Sequence, residues 1–262
     1  MLTYPSIDPV VFAVGPLTVY WYGVMYLVGF LGGGALGVLR ARVSGSTWSS
    51  QQVWDLLFYV AVGVIIGGRL GSIIFYNFSY YLEHPLEIFY IHKGGMSFHG
   101  GLIGVIIAVW VFSFNRSISF FRVTDFIAPV VPIGLGCGRI ANFINGELWG
   151  GPSTLPWGMI FPDPAAGGIS RHPSQLYEAF LEGLVLFIIL WWFSRIPRPV
   201  RATSGLFLFF YGMFRFLIEF VRMPDQHIGY IAFNWLTLGQ LLSIPMIIFG
   251  MIFLLMAYKL ND

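Results

Sequence analysis

Apolar residues in this chain run on for about twenty positions at a time and are then broken by short polar clusters. A helix crossing a hydrocarbon core of about 30 Å needs about 20 such residues. Runs of that length fall near 18–39, 54–76, 97–115, 125–141, 175–194, 204–222 and 236–258. The pattern predicts an all-α fold, a polytopic integral membrane helical bundle of about seven transmembrane helices. The fourth run holds Pro129, Pro132 and glycines at 134, 136 and 138, which weaken a regular helix, so it is expected to be kinked or partly unwound.

The longest connections, 77–96 and 142–174, fall on the same side of such a bundle. The second is rich in Gly and Pro, and a connection that long is usually functional or disordered. Trp149 and Trp157 suit an interfacial position, which favours an ordered outer, periplasmic cap. No soluble domain of useful size and no internal repeat stand out, so residues 1–262 read as a single membrane-embedded domain.

Composition agrees. Mean hydropathy is +0.77, and 10% of residues are charged, against about a quarter in soluble domains. Lys and Arg accumulate in cytoplasmic loops. One set of connections carries Arg40, Arg42, Arg116, Arg122, Arg195, Arg198, Arg201 and Lys259, and the other carries Lys93, Arg171 and Arg222. That asymmetry predicts an outer N-terminus and a cytoplasmic C-terminus. No basic residue precedes the first apolar run and no small-residue cleavage pattern follows it, so a removable signal peptide is not expected.

The net charge of +2 is thus a topology signal, and no basic patch with interleaved aromatics points to nucleic acid. Cys137, the single cysteine, excludes an internal disulfide and a cysteine-based metal cluster, and reads as a small packing residue. His84, His92, His99, His172 and His227 lack ligand spacing such as HExxH. No metal and no cofactor are expected.

Polar residues inside the apolar runs carry the candidate chemistry, because such residues are costly in hydrocarbon and mark functional positions. In GRIANFINGELWG, Arg139, Asn142, Asn145 and Glu147 crowd together among glycines. On the sixth run Tyr211, Arg215, Glu219 and Arg222 follow at steps of four, four and three, one helical face. In GGMSFHGGLIG, His99 sits between clustered glycines that suit close backbone approach. Ser174, Glu178 and Glu182 recur at steps of four in RHPSQLYEAFLE, and two carboxylates entering the membrane need partners, for which Arg69 in GGRLG is one candidate.

Each feature also has an ordinary explanation: a snorkelling Arg at the membrane edge, a structural Arg–Glu bridge, a satisfied histidine, an interfacial Tyr22. Together they suggest more. A guanidinium matches phosphate oxygens and stays charged when partly desolvated, the nearest phosphate in a membrane is a phospholipid head group, and histidine can take a proton near neutrality.

WYGVMYLVGF, GGRLG, GGMSFHGGLIG, GRIANFINGELWG, RHPSQLYE, YGMFRFLIEFVR and GQLLSIPM, in this order over nearly the whole chain, resemble the motifs of the prolipoprotein diacylglyceryl transferases. The resemblance implies a bacterial inner-membrane transferase that starts lipoprotein biosynthesis. Its substrates would be phosphatidylglycerol and a preprolipoprotein with a lipobox cysteine, with glycerol phosphate released and a thioether formed. It further implies that Arg139 and Arg215 bind phosphate and act in catalysis, and that His99 is a base or polariser. Tyr22, Asn142, Glu147, Gly150, Tyr211, Glu219 and Arg222 would form the surrounding shell.

Two other classes compete. A transporter or lipid flippase could use the same arginines to escort an anionic head group, although the missing repeat and one-sided polar clustering argue against it. An intramembrane hydrolase could cast Ser97 as nucleophile beside His99, yet no Asp or Glu at motif spacing completes a triad.

Overall fold

In the computed structural model, apolar helical segments occupy the runs read from sequence. The structure describes residues 2–15, 17–43, 45–90, 94–224 and 229–259; His92, Lys93 and His227 lie outside them. The segments are α1 (Trp21–Ala41), α2 (Ser50–Tyr76), α3 (Phe98–Asn115), α4 (Phe120–Ile127), α5 (Val131–Ile144), α6 (Ser174–Phe193), α7 (Ala202–Ile218) and α8 (Leu238–Lys259). Five of them, α1, α2, α3, α6 and α8, are long and apolar enough to cross a membrane singly. This is a multi-pass membrane protein.

The fourth run is two helices, α4 and α5, bent by 52°. Pro129 lies in the break and Pro132 in the first turn of α5, and neither can supply a backbone N–H group to a continuous ladder. The sixth run is shorter than the sequence suggested: α7 ends at Ile218, and Arg222 lies in the turn beyond it.

The chain divides into two compact units, one comprising the chain to Leu36 and from Asp125 onward, the other Gly37–Thr124. In the second unit α2 begins at a capping box, where Ser49 Oγ accepts from Gln52 N and Gln52 Oε1 accepts from Ser49 N; each satisfies an otherwise orphaned donor. α2 and α3 then pack through glycine. A Cβ on Gly104 would fall 2.0 Å from the carbonyl oxygen of Gly63, and one on Gly100 would fall 2.3 Å from that of Gly67. Dispersion at that close approach is what holds helices together where solvent is itself apolar.

The first unit uses the same device between α7 and α8, where a Cβ on Gly250 would fall 2.8 Å from the Gly205 carbonyl oxygen, and again at a decisive place. A Cβ on Gly183 of α6 would stand 2.8 Å from Gly136 Cα of α5. That contact brings the turn carrying Arg139 against the turn carrying Glu182.

A small cap completes this unit. β1 (Leu2–Thr3) pairs in parallel with β2 (Met159–Ile160), which pairs antiparallel with β3 (Ser170–Arg171). Tyr4, Trp149, Phe161 and Ala166 form its buried core, and the Tyr4 hydroxyl donates to the carbonyls of Phe143 and Ile144 at 2.7 Å each, satisfying the C-terminal end of α5. The long connection is therefore ordered. Trp157 is half exposed and donates to the Tyr177 hydroxyl, whereas Trp149 is buried under the Arg171 guanidinium, 4.2 Å from its ring centroid. Trp149 and Arg171 are thus packing residues of the cap.

Candidate functional site

The site grows from three segments of the first unit. From α5 comes Arg139, one turn past the Gly136 contact. From α6 come Glu178 and Glu182, both completely buried. From α7 and the turn after it come Arg215, Glu219 and Arg222.

Arg139 Nε lies 2.7 Å from Glu178 Oε2 and 3.8 Å from Glu182 Oε2. Arg215 Nη1 donates to the same Glu178 oxygen at 3.1 Å, while its Nη2 lies 2.5 Å from Glu219 Oε1. Arg222 Nη1 stands 4.0 Å from Glu178 and 3.9 Å from Glu219. Three guanidiniums therefore converge on Glu178 Oε2. Removing one partner of a buried ion pair leaves an uncompensated charge, a cost of about 3–5 kcal/mol, so each member holds the others.

These partners correct one sequence expectation. Arg69 serves neither Glu178 nor Glu182. It donates to the backbone carbonyls of Glu87, Ile88 and Gly94 and stacks over Tyr81, holding the segment before α3.

Helix α6 departs from regular geometry where it carries the carboxylates. Residues Ala179–Val185 form a π-helical stretch, a rare feature that occurs mostly at functional positions. Steps of four therefore gave the right face but not the local geometry.

Glu219 is fixed on both sides. Thr237 Oγ1 donates to its Oε2 at 2.5 Å, and the site where a Gly239 side chain would begin lies 2.5 Å from its carboxyl carbon. Any larger residue at 239 would displace the carboxylate. Thr237 and Gly239 were missed by the sequence reading; Gly239 opens GQLLSIPM, and nothing in the spacing tied it to Glu219.

The loop 145–150 that follows α5 is pinned from the start of α6. Ser174 Oγ donates to the Leu148 carbonyl at 3.0 Å and Gln175 Nε2 to the Glu147 carbonyl at 2.6 Å. Within the loop, Leu148 adopts φ +57°, a left-handed conformation rare for a branched residue and found where surrounding contacts over-determine it. The Glu147 carboxylate accepts from Asn142 Nδ2 at 2.8 Å and from Asn145 Nδ2 at 3.3 Å. Asn142 and Glu147 thus orient each other, and Arg139 is oriented by α6.

Gly150 is clamped between His172 of the cap and the segment Val221–Arg222, with which it forms an antiparallel bridge. Its N–H donates to the His172 carbonyl at 2.8 Å, Gly151 N–H donates to the Val221 carbonyl at 2.9 Å, and a Cβ on Gly150 would come within 2.5 Å of that carbonyl. Tyr22 packs against Tyr26, with ring centroids 5.2 Å apart and planes tilted by 32°, and lies within electrostatic reach of Glu147 and Arg139; Tyr211 lies within reach of Arg215 and Glu182.

So Arg139, Arg215, Glu219, Arg222 and Tyr211 gather in one cluster, with Asn142, Glu147, Gly150 and Tyr22 in the same unit. His99 belongs to the other unit, exposed on the first turn of α3 with its ring edge-on to Phe98. Ser97 is the N-cap of α3: its Oγ accepts from Gly100 N, and it is buried. That is a structural role.

Of the three arginines Arg139 has the most exposed side chain, 21% against 15% and 11%. No hydrogen bond joins its Nη atoms to another described residue. Held by one edge, its guanidinium can offer the other edge to an anion.

The prolipoprotein diacylglyceryl transferase family model matches residues 9–256. Proteins named phosphatidylglycerol–prolipoprotein diacylglyceryl transferase are similar over nearly their full length. One from Methylococcus capsulatus is 59% identical over 98% of this chain and 98% of its own. One from Coxiella burnetii is 58% identical over 99% and 98%, and one from Pseudomonas aeruginosa is 55% identical over 99% and 97%.

Proposed function

This chain belongs to the prolipoprotein diacylglyceryl transferase family, and from that premise we propose that it transfers the diacylglyceryl group of phosphatidylglycerol to the lipobox cysteine thiol of a preprolipoprotein. A carbon–sulfur bond forms and the glycerol carbon–oxygen bond to phosphate breaks. The leaving glycerol phosphate keeps the electron pair, and the thiol proton passes to a base.

The observation that supports this reading is the convergence of Arg139, Arg215 and Arg222 on the buried Glu178. A phosphodiester fits the outward edge of Arg139, and the charge that grows on the phosphate as the carbon–oxygen bond breaks is stabilised by guanidiniums already in place. Donors fixed in advance act where charge develops and need no reorganisation during the reaction. Arg139 and Arg215 are the catalytic arginines on this reading, and Glu219 and Arg222 keep Arg215 in register. Tyr211, Tyr22, Asn142, Glu147 and Gly150 shape the head-group shell.

A free thiol ionises near pH 8.5 and only its thiolate attacks well. His99 is the base on this reading, since histidine is suited to proton transfer near neutrality. The nucleophile comes from the substrate, and residues 1–262 act as one catalytic domain. The basic residues set the N-terminus outside and the C-terminus in the cytoplasm, with the site in the outer half of the bacterial inner membrane.

The test is to incubate the purified protein with phosphatidylglycerol and a lipobox peptide and to follow both by mass spectrometry. A diacylglyceryl adduct on the peptide cysteine and an equal amount of glycerol phosphate are expected. Neither product from folded protein would overturn the proposal.

A further inference from the structure

The buried cluster holds three guanidiniums, Arg139, Arg215 and Arg222, and three carboxylates, Glu178, Glu182 and Glu219. With every group ionised it is formally neutral. A lipid phosphodiester brings one more negative charge into it, and a surplus charge in a water-poor interior costs far more than one paired there. One existing charge must therefore be cancelled when the lipid arrives.

The six groups differ in what holds them ionised. Glu178 receives a hydrogen bond from Arg215 and the closest approach of Arg139. Glu219 is gripped by Arg215 and by the Thr237 hydroxyl. Glu182 is completely buried, its nearest cations are 3.8 and 3.9 Å away, and neither of its oxygens accepts a hydrogen bond. It depends for its charge on Arg139 and Arg215, the two groups a phosphodiester would engage.

Resting on the reading that these arginines bind the lipid phosphate, we propose that Glu182 takes up one proton as the phosphodiester binds, and so couples lipid binding to proton uptake. The groups facing it are Arg139 from α5, Arg215 and Tyr211 from α7, Arg222 from the turn beyond, and Glu178 from its own helix. When the phosphate draws the two arginines toward itself, the favourable field at Glu182 weakens while Glu178, which like Glu182 is negative, stays one turn away. Two nearby carboxylates that have lost part of their counter-charge do not both remain ionised. The proton restores neutrality without moving a helix.

Isothermal titration of dihexanoyl phosphatidylglycerol into the detergent-solubilised full chain measures this directly. Repeating the titration in buffers of different ionisation enthalpy gives the number of protons exchanged. Wild type is expected to take up about one proton per lipid, with affinity falling about tenfold for each pH unit across the alkaline range, the slope for one linked proton. Glu182→Gln, which carries the neutral side chain permanently, is expected to take up none and to bind with little pH dependence, more tightly than wild type at alkaline pH.

Lipid binding by wild type without proton uptake overturns the inference and leaves the functional reading intact; so does undiminished uptake in Glu182→Gln. No lipid binding by folded wild type overturns the functional reading and this inference with it. Should Glu182→Gln fail to fold, the proton count and pH slope of wild type decide alone.

Discussion

Arg139 Nε and Glu178 Oε2 stand 2.7 Å apart, an ion pair between α5 and α6 whose carboxylate is completely buried. That pair fixes the guanidinium by one edge. Replacing Glu178 by Gln leaves Arg139 and Arg215 without their shared counter-charge, and loss of about 3–5 kcal/mol of stability is expected. The double substitution Glu178→Gln with Arg139→Ala should lose less than the sum of the singles, because the pair is coupled. Thermal unfolding in detergent of the four proteins gives the coupling; strict additivity would contradict it.

A guanidinium gripping phosphate by two parallel donors is not replaced by an ammonium. Arg215→Lys keeps the charge but cannot reach Glu178 and Glu219 at once. Transfer is expected to fall by about 10²- to 10³-fold, the cost of losing one oriented donor in a preorganised site. Initial rates at saturating lipid check this, and a loss confined to lipid affinity would show that Arg215 only binds.

Gly239 gives way to the Glu219 carboxylate, so Gly239→Ala should push Glu219 from Arg215 and lower activity more than stability. Thr237→Val removes the hydroxyl that Glu219 accepts from, leaving a buried acceptor short by about 1–3 kcal/mol. Transfer assays and unfolding curves on both variants separate the effects. Wild-type rates in Gly239→Ala would mean that the carboxylate has room to spare.

His172 lies in the cap, half-buried, with its carbonyl accepting from Gly150 and its Nδ1 3.3 Å from the Tyr177 hydroxyl. Burial lowers its pKa below the usual histidine value. The folded cap therefore prefers neutral imidazole, and the unfolded chain binds more protons in the window between the two values. This contribution to stability is complete above about pH 6.5 and is lost as pH falls below it toward the folded value. Trp157 fluorescence should report cap loosening in that window, and His172→Gln should flatten the response. An unchanged profile in His172→Gln would assign the effect elsewhere.

Much of the bundle could be read from length and apolarity, because a membrane-spanning helix needs little more than both. The break between α4 and α5 could also be read, since Pro129 and Pro132 forbid a continuous ladder. Polar residues were legible as costly positions but not as pairs. Glu178 and Glu182 announced a need for cations, yet their choice of Arg139 and Arg215 over Arg69 depends on the Gly136–Gly183 approach between helices distant in sequence. The π-helical stretch of α6 left no mark in an apolar run, and the end of α7 at Ile218 was hidden because Arg222 continues the spacing past the last helical turn. Thr237 was silent for a further reason: a threonine before a helix suits its N-cap, which it also serves through Gln240, and its bond to Glu219 exists only in the folded molecule.

On the proposed mechanism Arg139 grips the lipid phosphate during transfer, which is tested by the transfer rate of Arg139→Ala with phosphatidylglycerol and a lipobox peptide. The variant keeps Glu178 paired with Arg215, so it should insert and fold. No adduct and no glycerol phosphate above background are expected from such folded protein. Wild-type turnover in Arg139→Ala at matched amounts of folded enzyme would contradict the account.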